Sequence, residues 1–223
     1  MPCARTSVAP IRPMPEASTV RAPVLRDSLE LMRTAYIGMG GNLPSRAGAP
    51  DATLAAAAAR LESLGRVTRR SSLYSTEPVG FAAQPRFVNA VVALETELEP
   101  KALLQGLLAI EQEFGRDRTA GFVNGPRTLD LDILLFDDLK ISEQNGEGGL
   151  EIPHPRLAER TFVLIPLCEI APRIIAAGST TTVSQLLHRL HEHARDETNA
   201  VVPIQSDGWS AGACDSGVWP GQP

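Results

Sequence analysis

Lysine is nearly missing from this chain. Of 21 basic residues only Lys101 and Lys140 are lysines, so 19 are arginines. Cysteine is scarce too: Cys3, Cys168 and Cys214 are odd in number and far apart, with no Cys-x-x-Cys spacing, which argues against a disulfide framework or a zinc site. A basic excess is absent. With 26 Asp+Glu the formal net charge is -5 and the pI about 5.4, which excludes a general nucleic-acid or membrane-surface binder and favours a small-molecule partner. No apolar run approaches the ~20 residues of a membrane span, and no secretory signal pattern opens the chain, so a cytoplasmic location is expected. Neither a Gly-x-x-x-x-Gly-Lys-Ser/Thr loop nor a His-Arg-Asp or Asp-Phe-Gly set occurs, which removes P-loop nucleotidases and protein kinases.

What is present falls into three stretches. Residues 1–33 hold five prolines, five arginines and no glycine and read as a disordered arm. Residues 204–223, rich in glycine and carrying Trp209 and Trp219, read as an unstructured tail. Between them, 34–203 alternates strand and helix signals and fits a single domain. Thr34–Met39 reads as a strand ending in the turn cluster Gly40-Gly41-Asn42. An alanine-rich helix follows from Asp51 to Leu64, with Gly65 at a left-handed C′ position. Val67–Ser75 and Phe87–Glu95 read as strands, Pro100–Gly115 as a helix of 3.6-residue period, and Thr128–Phe136 as a strand. The order predicts an α+β fold, the ferredoxin-like βαββαβ antiparallel sheet with both helices packed on one face, plus a C-terminal extension. In that extension Thr182 and Gln185 predict a capping box before a helix over 183–195.

The chemistry concentrates in Gly125-Pro-Arg-Thr-Leu-Asp-Leu-Asp-Ile-Leu-Leu-Phe136. On a strand, Asp130 and Asp132 project from one face, roughly 7 Å apart, while Leu129, Leu131 and Ile133 enter the other. Two neighbouring anions imply a cation between them. Carboxylates without nearby His or Cys ligands suit Mg²⁺. Arg116, Arg118 and Arg127 lie just upstream, and His154, Arg156 and Arg160 downstream. Metal carboxylates ringed by guanidiniums are what a polyphosphate needs, because both neutralise charge during phosphoryl transfer.

Five segments then carry a resemblance. They are Tyr36-Ile-Gly-Met-Gly-Gly-Asn-Leu43, Ser72-Leu-Tyr-Ser-Thr-Glu-Pro-Val-Gly80, Gln84-Pro-Arg-Phe-Val-Asn-Ala90, Gly125-Pro-Arg-Thr-Leu-Asp-Leu-Asp-Ile133, and Ile152-Pro-His-Pro-Arg156 continuing to Pro166-Leu-Cys-Glu-Ile-Ala-Pro172. In order over 34–172, the chain resembles the 6-hydroxymethyl-7,8-dihydropterin pyrophosphokinases of folate biosynthesis. The resemblance implies transfer of the terminal diphosphate of ATP to the pterin hydroxymethyl group, releasing AMP. Two Mg²⁺ ions would be held by Asp130 and Asp132. Arg127 and Arg118 would grip the phosphates, and Arg116 would assist around the mobile loop 116–127. Glu111, His154, Arg160 and the backbone at Ile133 would contact ATP. Thr76, Pro78, Val79 and Gly80 would line the pterin pocket, with Asn89 reading the amide edge of the pterin, Phe162 stacking on it and Phe87 supporting the same wall. A monomer is expected on the same ground. The chain departs from the family at Asn124, where an aromatic is common, and at Pro155, Gly41 and Leu108, where a tyrosine, a serine and a glutamine are usual.

Two other readings stay open on the residues alone. A different Mg²⁺-dependent phospho- or nucleotidyltransferase would release ADP or free diphosphate instead of AMP. A non-catalytic ferredoxin-like module placing RNA on its sheet needs exposed aromatics and a basic surface, against 4% aromatics here.

Overall fold

Six strands share one antiparallel sheet, and its central strands explain where everything else sits. The computed structural model describes residues 32–117, 125–143, 149–193 and 201–212; the arm at 1–31, Arg118 and Asn124 lie outside the described residues. The elements are β1 (Arg33–Gly41), α1 (Pro50–Leu61), β2 (Arg66–Arg70), β3 (Leu73–Thr76), β4 (Phe87–Thr96), α2 (Pro100–Glu113), β5 (Asp130–Phe136), the hairpin β6 (Ile141–Glu143) and β7 (Leu150–Ile152), α3 (Thr161–Ile170), α4 (Val183–His193) and β8 (Val202–Ile204). The sheet order is β5-β1-β4-β3-β8, with β2 also pairing β4.

Alternation along the strands makes two cores. Ala35, Ile37 and Met39 of β1, Ala90, Val92 and Leu94 of β4, and Leu131 and Ile133 of β5 face α1 and α2, meeting Leu54, Leu61, Leu103 and Leu107. On the opposite face Tyr74, Val91, Ala93 and Leu134 meet Leu164 and Leu167 of α3 and Val183 and Leu187 of α4. Each fully buried leucine contributes roughly 1.5–3 kcal/mol by leaving water.

Several boundaries differ from the sequence expectation, for local reasons. The single strand expected over Val67–Ser75 breaks at Ser71. Its Oγ accepts the Val91 amide at 2.9 Å, and its carbonyl accepts Trp209 Nε1 at 2.7 Å instead of entering the ladder. Helix α1 ends at Leu61 with Glu62 as its C-cap in αR geometry. Gly65 is not left-handed; positive φ among glycines falls at Gly48, Gly80, Gly115 and Gly178. A Cβ at Gly65 would stand 2.2 Å from the Glu95 carbonyl oxygen, so the residue is there for close approach to β4. The capping box at α4 forms in both directions: the Thr182 amide donates to Gln185 Oε1 at 2.9 Å and the Gln185 amide to Thr182 Oγ1 at 3.3 Å.

Helix α3 has no counterpart among the elements expected from sequence. Apart from Thr161 and Glu169 it is apolar, because the sheet and α4 enclose it, and Pro166 inside it reads as a breaker. The tail also departs from expectation. Residues 202–204 pair antiparallel with β3, and Trp209 is buried at 9% exposure in the α1 side of the core.

Candidate active site

A cleft of about 620 Å³ opens on the α3 side of the sheet, above the C-terminal end of β1. Its floor follows from the pleat. On β1, Ile37 and Met39 point into the α1–α2 core, so Gly38 and Gly40 face the cleft side, opposite Asp132 and Asp130 of β5 and opposite Val91 and Asn89 of β4. Gly38 is covered by the Leu134 side chain, 3.2 Å from where a Cβ would stand, whereas Gly40 lines the cleft and leaves Asp130 of β5 and Asn89 of β4 on either side of a floor without a side chain. A Cβ at Gly40 would lie 2.8 Å from Asn89 Oδ1.

One wall of the cleft is anionic at its base and cationic above. Asp130 is bound through both oxygens, Oδ2 to Arg127 Nη1 at 2.7 Å and Oδ1 to Arg116 Nη2 at 3.2 Å. Asp132 has no such relief. Burial first, then the Asp130 charge and the Glu111 charge beneath it, push its carboxyl up to about 6, with Arg160 and Arg127 only partly offsetting this. The pair is therefore short of positive charge, the condition a divalent cation relieves. Among the described residues no group of three or more His, Cys, Asp or Glu side chains is placed to hold a metal. Two carboxylates with the rest of the shell open fit Mg²⁺, which keeps water and binds substrate phosphates rather than an all-protein cage.

His154 and Arg160 stand across from this pair. His154 is anchored by its amide to the Leu134 carbonyl at 2.9 Å, and its Nδ1 accepts the Arg156 amide at 3.1 Å. Burial, followed by the Arg160 and Arg156 cations, pushes its imidazole down to about 4. It is thus neutral near pH 7, with its proton on Nε2 as a donor.

The opposite wall is flat and mostly apolar. Asn89, 8% exposed, has its Nδ2 directed to Thr76 Oγ1 at 2.7 Å, and Thr76 lies opposite Phe87 in the β3–β4 ladder. Phe87 and Phe162 present ring faces, each covered by a site arginine: Arg127 over Phe87 at 5.5 Å and Arg160 over Phe162 at 5.3 Å. The two walls are tied by Asn42. Its Nδ2 donates to Gln84 Oε1 and the Pro85 carbonyl, both at 3.0 Å, while its Oδ1 accepts the Arg127 amide at 2.8 Å.

Of the residues expected from sequence, Thr76, Val79, Phe87, Asn89, Arg116, Arg127, Asp130, Asp132, His154, Arg160 and Phe162 all line this one cleft. Pro78 and Gly80 flank Val79 without lining it. Glu111, expected to contact ATP, is beneath the cleft, 1% exposed, with Oε1 accepting the Leu131 amide at 2.8 Å on the strand that carries the aspartates. The Ile133 side chain belongs to the core. Sequence reasoning assigned no role to Gly40 or Asn42, whose Gly-Gly-Asn run reads as a turn; the strand register is what reveals them.

The family model described as 7,8-dihydro-6-hydroxymethylpterin-pyrophosphokinase matches residues 36–172. The chain is 40% identical over 151 residues to the 2-amino-4-hydroxy-6-hydroxymethyldihydropteridine pyrophosphokinase of Methylorubrum extorquens, covering 67% of this chain and 89% of the relative. To the protein of the same name from Haemophilus influenzae it is 39% identical over 170 residues, covering 75% of this chain and 99% of the relative. The crystal structure of wild-type Plasmodium falciparum HPPK-DHPS with STZ-DHP superposes with a TM-score of 0.59 at 16% identity, over 74% of this chain and 44% of that longer chain, a likeness of fold.

Proposed function

The chain belongs to the 7,8-dihydro-6-hydroxymethylpterin-pyrophosphokinase family, and from that premise we propose how its cleft performs the reaction: transfer of the terminal diphosphate of ATP to the hydroxymethyl oxygen of 6-hydroxymethyl-7,8-dihydropterin, releasing AMP. The observation that carries this reading is the joining, across a side-chain-free floor at Gly40, of a flat amide-reading wall and a carboxylate pair ringed by guanidiniums. We read the strand order, in which β5 borders β1 and β4 lies between β1 and β3, as the ferredoxin-like arrangement.

The acceptor sits between Phe87 and Phe162, whose rings replace their arginine partners with the heterocycle. Asn89 offers a carbonyl and an amide to its hydrogen-bonding edge, and Thr76 holds the Asn89 carboxamide in one orientation. Val79 closes the apolar side of the pocket. Arg116 and Arg127 leave Asp130 to bind phosphate oxygens, and Arg160 with the neutral His154 donor binds the remaining oxygens. Asp130 and Asp132 would hold Mg²⁺, two ions in all. An ion held by these two carboxylates would supply Lewis-acid neutralisation of the phosphate charge that repels an attacking hydroxyl. The protein contributes alignment and charge neutralisation rather than a covalent step, as expected where positioning dominates phosphoryl transfer.

The test is incubation with ATP, Mg²⁺ and 6-hydroxymethyl-7,8-dihydropterin, with nucleotide products separated chromatographically. AMP formed in proportion to acceptor is the expected result. ADP or acceptor-independent hydrolysis would overturn it.

A further inference from the structure

Glu169 is outside the cleft, yet its carboxylate is the point where the helix that carries Phe162 is fastened to the segment that carries Thr76. Oε2 accepts the Ser72 amide at 2.8 Å and the Tyr74 hydroxyl at 2.9 Å; Oε1 accepts the Ser72 hydroxyl at 2.8 Å. The residue occupies the last turn of α3, where the carbonyl ends already carry partial negative charge, so a carboxylate is electrostatically disfavoured there. The final carbonyl of the helix, that of Ile170, is satisfied separately by Arg69 Nη1 at 2.9 Å. Helix stability does not account for this glutamate; the donors of Ser72, just before β3, and of Tyr74 on β3 do.

The geometry gives that contact leverage over the flat, mostly apolar wall of the cleft. Phe162 lies seven residues up the same helix, about 10 Å away by helical rise. Thr76 lies two residues beyond Tyr74 on β3, about 7 Å away, and Tyr74 is directly opposite Asn89 in the ladder. We propose that Glu169 is a positioning residue that sets the spacing between Phe162 and the Thr76–Asn89 pair, and thereby the width of the slot that receives the flat acceptor. This rests on the diphosphate-transfer reading. Of the phosphate-binding groups, Arg116 and Arg127 follow α2 and precede β5, away from the fastening, and only Arg160, the N-cap of α3, shares the helix of Glu169, so the acceptor feels its loss more than ATP does.

The network also distinguishes geometry from charge. A glutamine can place its carbonyl oxygen on the Ser72 amide and the Tyr74 hydroxyl while its NH₂ donates to the Ser72 hydroxyl, which accepts as well as donates. Glu169→Gln therefore preserves the fastening and Glu169→Ala removes it.

The experiment measures kcat and KM for each substrate separately in wild type, E169Q, E169A and Tyr74→Phe. Fractions folded are fixed beforehand by circular dichroism. E169A is expected to lower kcat/KM for the pterin on the order of tenfold or more, the penalty of a misplaced substrate, with KM for ATP changed less than about twofold on the same scale. E169Q should track wild type, and Tyr74→Phe, which keeps the fold if E169A does not, should show a smaller shift in the same direction. Hydrogen exchange over residues 71–76 should accelerate in E169A and not in E169Q. Equal loss for both substrates, a lowered Tm with unchanged kcat/KM, or an E169Q as impaired as E169A would each overturn the proposal. A wild-type protein that releases no AMP with this acceptor would instead remove the reading beneath it.

Discussion

Replacing Asp132 with asparagine should make the protein more stable while removing its activity. The carboxyl of Asp132 is pushed from its ordinary value of 3.8 up to about 6 by burial, by Asp130 and by Glu111. A folded-state pKa above the unfolded value means the folded chain holds the proton more tightly. Stability from this group is therefore full below pH 4 and is lost as pH rises towards 6. The shift corresponds to about 3 kcal/mol, and partial exposure of the side chain trims this to a working range of about 1–3 kcal/mol. The neutral carboxamide of the D132N variant carries no such penalty at any pH. In metal-free buffer with a chelator, that variant should unfold about 2–10 °C above wild type at pH 8. The gap should close as pH falls to 4. Differential scanning calorimetry across that range checks both the size and the pH dependence. Adding Mg²⁺ with a non-hydrolysable ATP analogue should raise the Tm of wild type and leave D132N nearly unmoved, reversing their order. A D132N protein no more stable than wild type at pH 8, or a gap independent of pH, would refute the view of this carboxylate as an uncompensated charge.

The imidazole of His154, pushed down to about 4, should show a proton NMR titration midpoint near that pH, with no inflection from this residue between pH 5.5 and 8. A midpoint above 6 would mean that burial and the adjoining arginines do not govern it. Gly40→Ala places a methyl group 2.8 Å from Asn89 Oδ1 and should raise KM for the pterin on the order of tenfold through misalignment, with a smaller effect on ATP, as read by steady-state kinetics. Trp209→Phe keeps an aromatic in the core but leaves the Ser71 carbonyl without its indole partner, a loss of about 1–3 kcal/mol; Trp209→Ala should cost about 3–5 kcal/mol. Urea unfolding of the two variants measures both.

How much of this is legible in advance depends on whether the signal is local. The pairing of Asp130 with Asp132 on one face follows from strand alternation alone, and the capping box at Thr182 from two residues three apart. The same pleat explains the glycine floor, but only once β1 is known to lie between β4 and β5, and no periodicity in Gly38-Met39-Gly40 announces that neighbour. Glu111 reads as a nucleotide contact because of the family resemblance; its partner in the structure is an amide twenty positions onward, reached through tertiary packing. Helix α3 hides behind Pro166 and an apolar run from Phe162 to Cys168, which mark a breaker and a buried strand equally well. Trp209 stands in a glycine-rich stretch of weak local preference, and its burial follows from a vacant carbonyl at Ser71 that exists only after β2 and β3 separate.

That last contact changes where the protein must be considered to end. The family model matches no further than residue 172, but β3, which delivers Thr76 to the cleft, is bordered on its outer side by residues 202–204. A chain trimmed to the matched stretch would leave β3 as a bare sheet margin with unpaired amides and carbonyls, an invitation to pair with a second molecule. The end of the family-model match and the folding boundary are therefore different places, and engineering of this protein should respect the second.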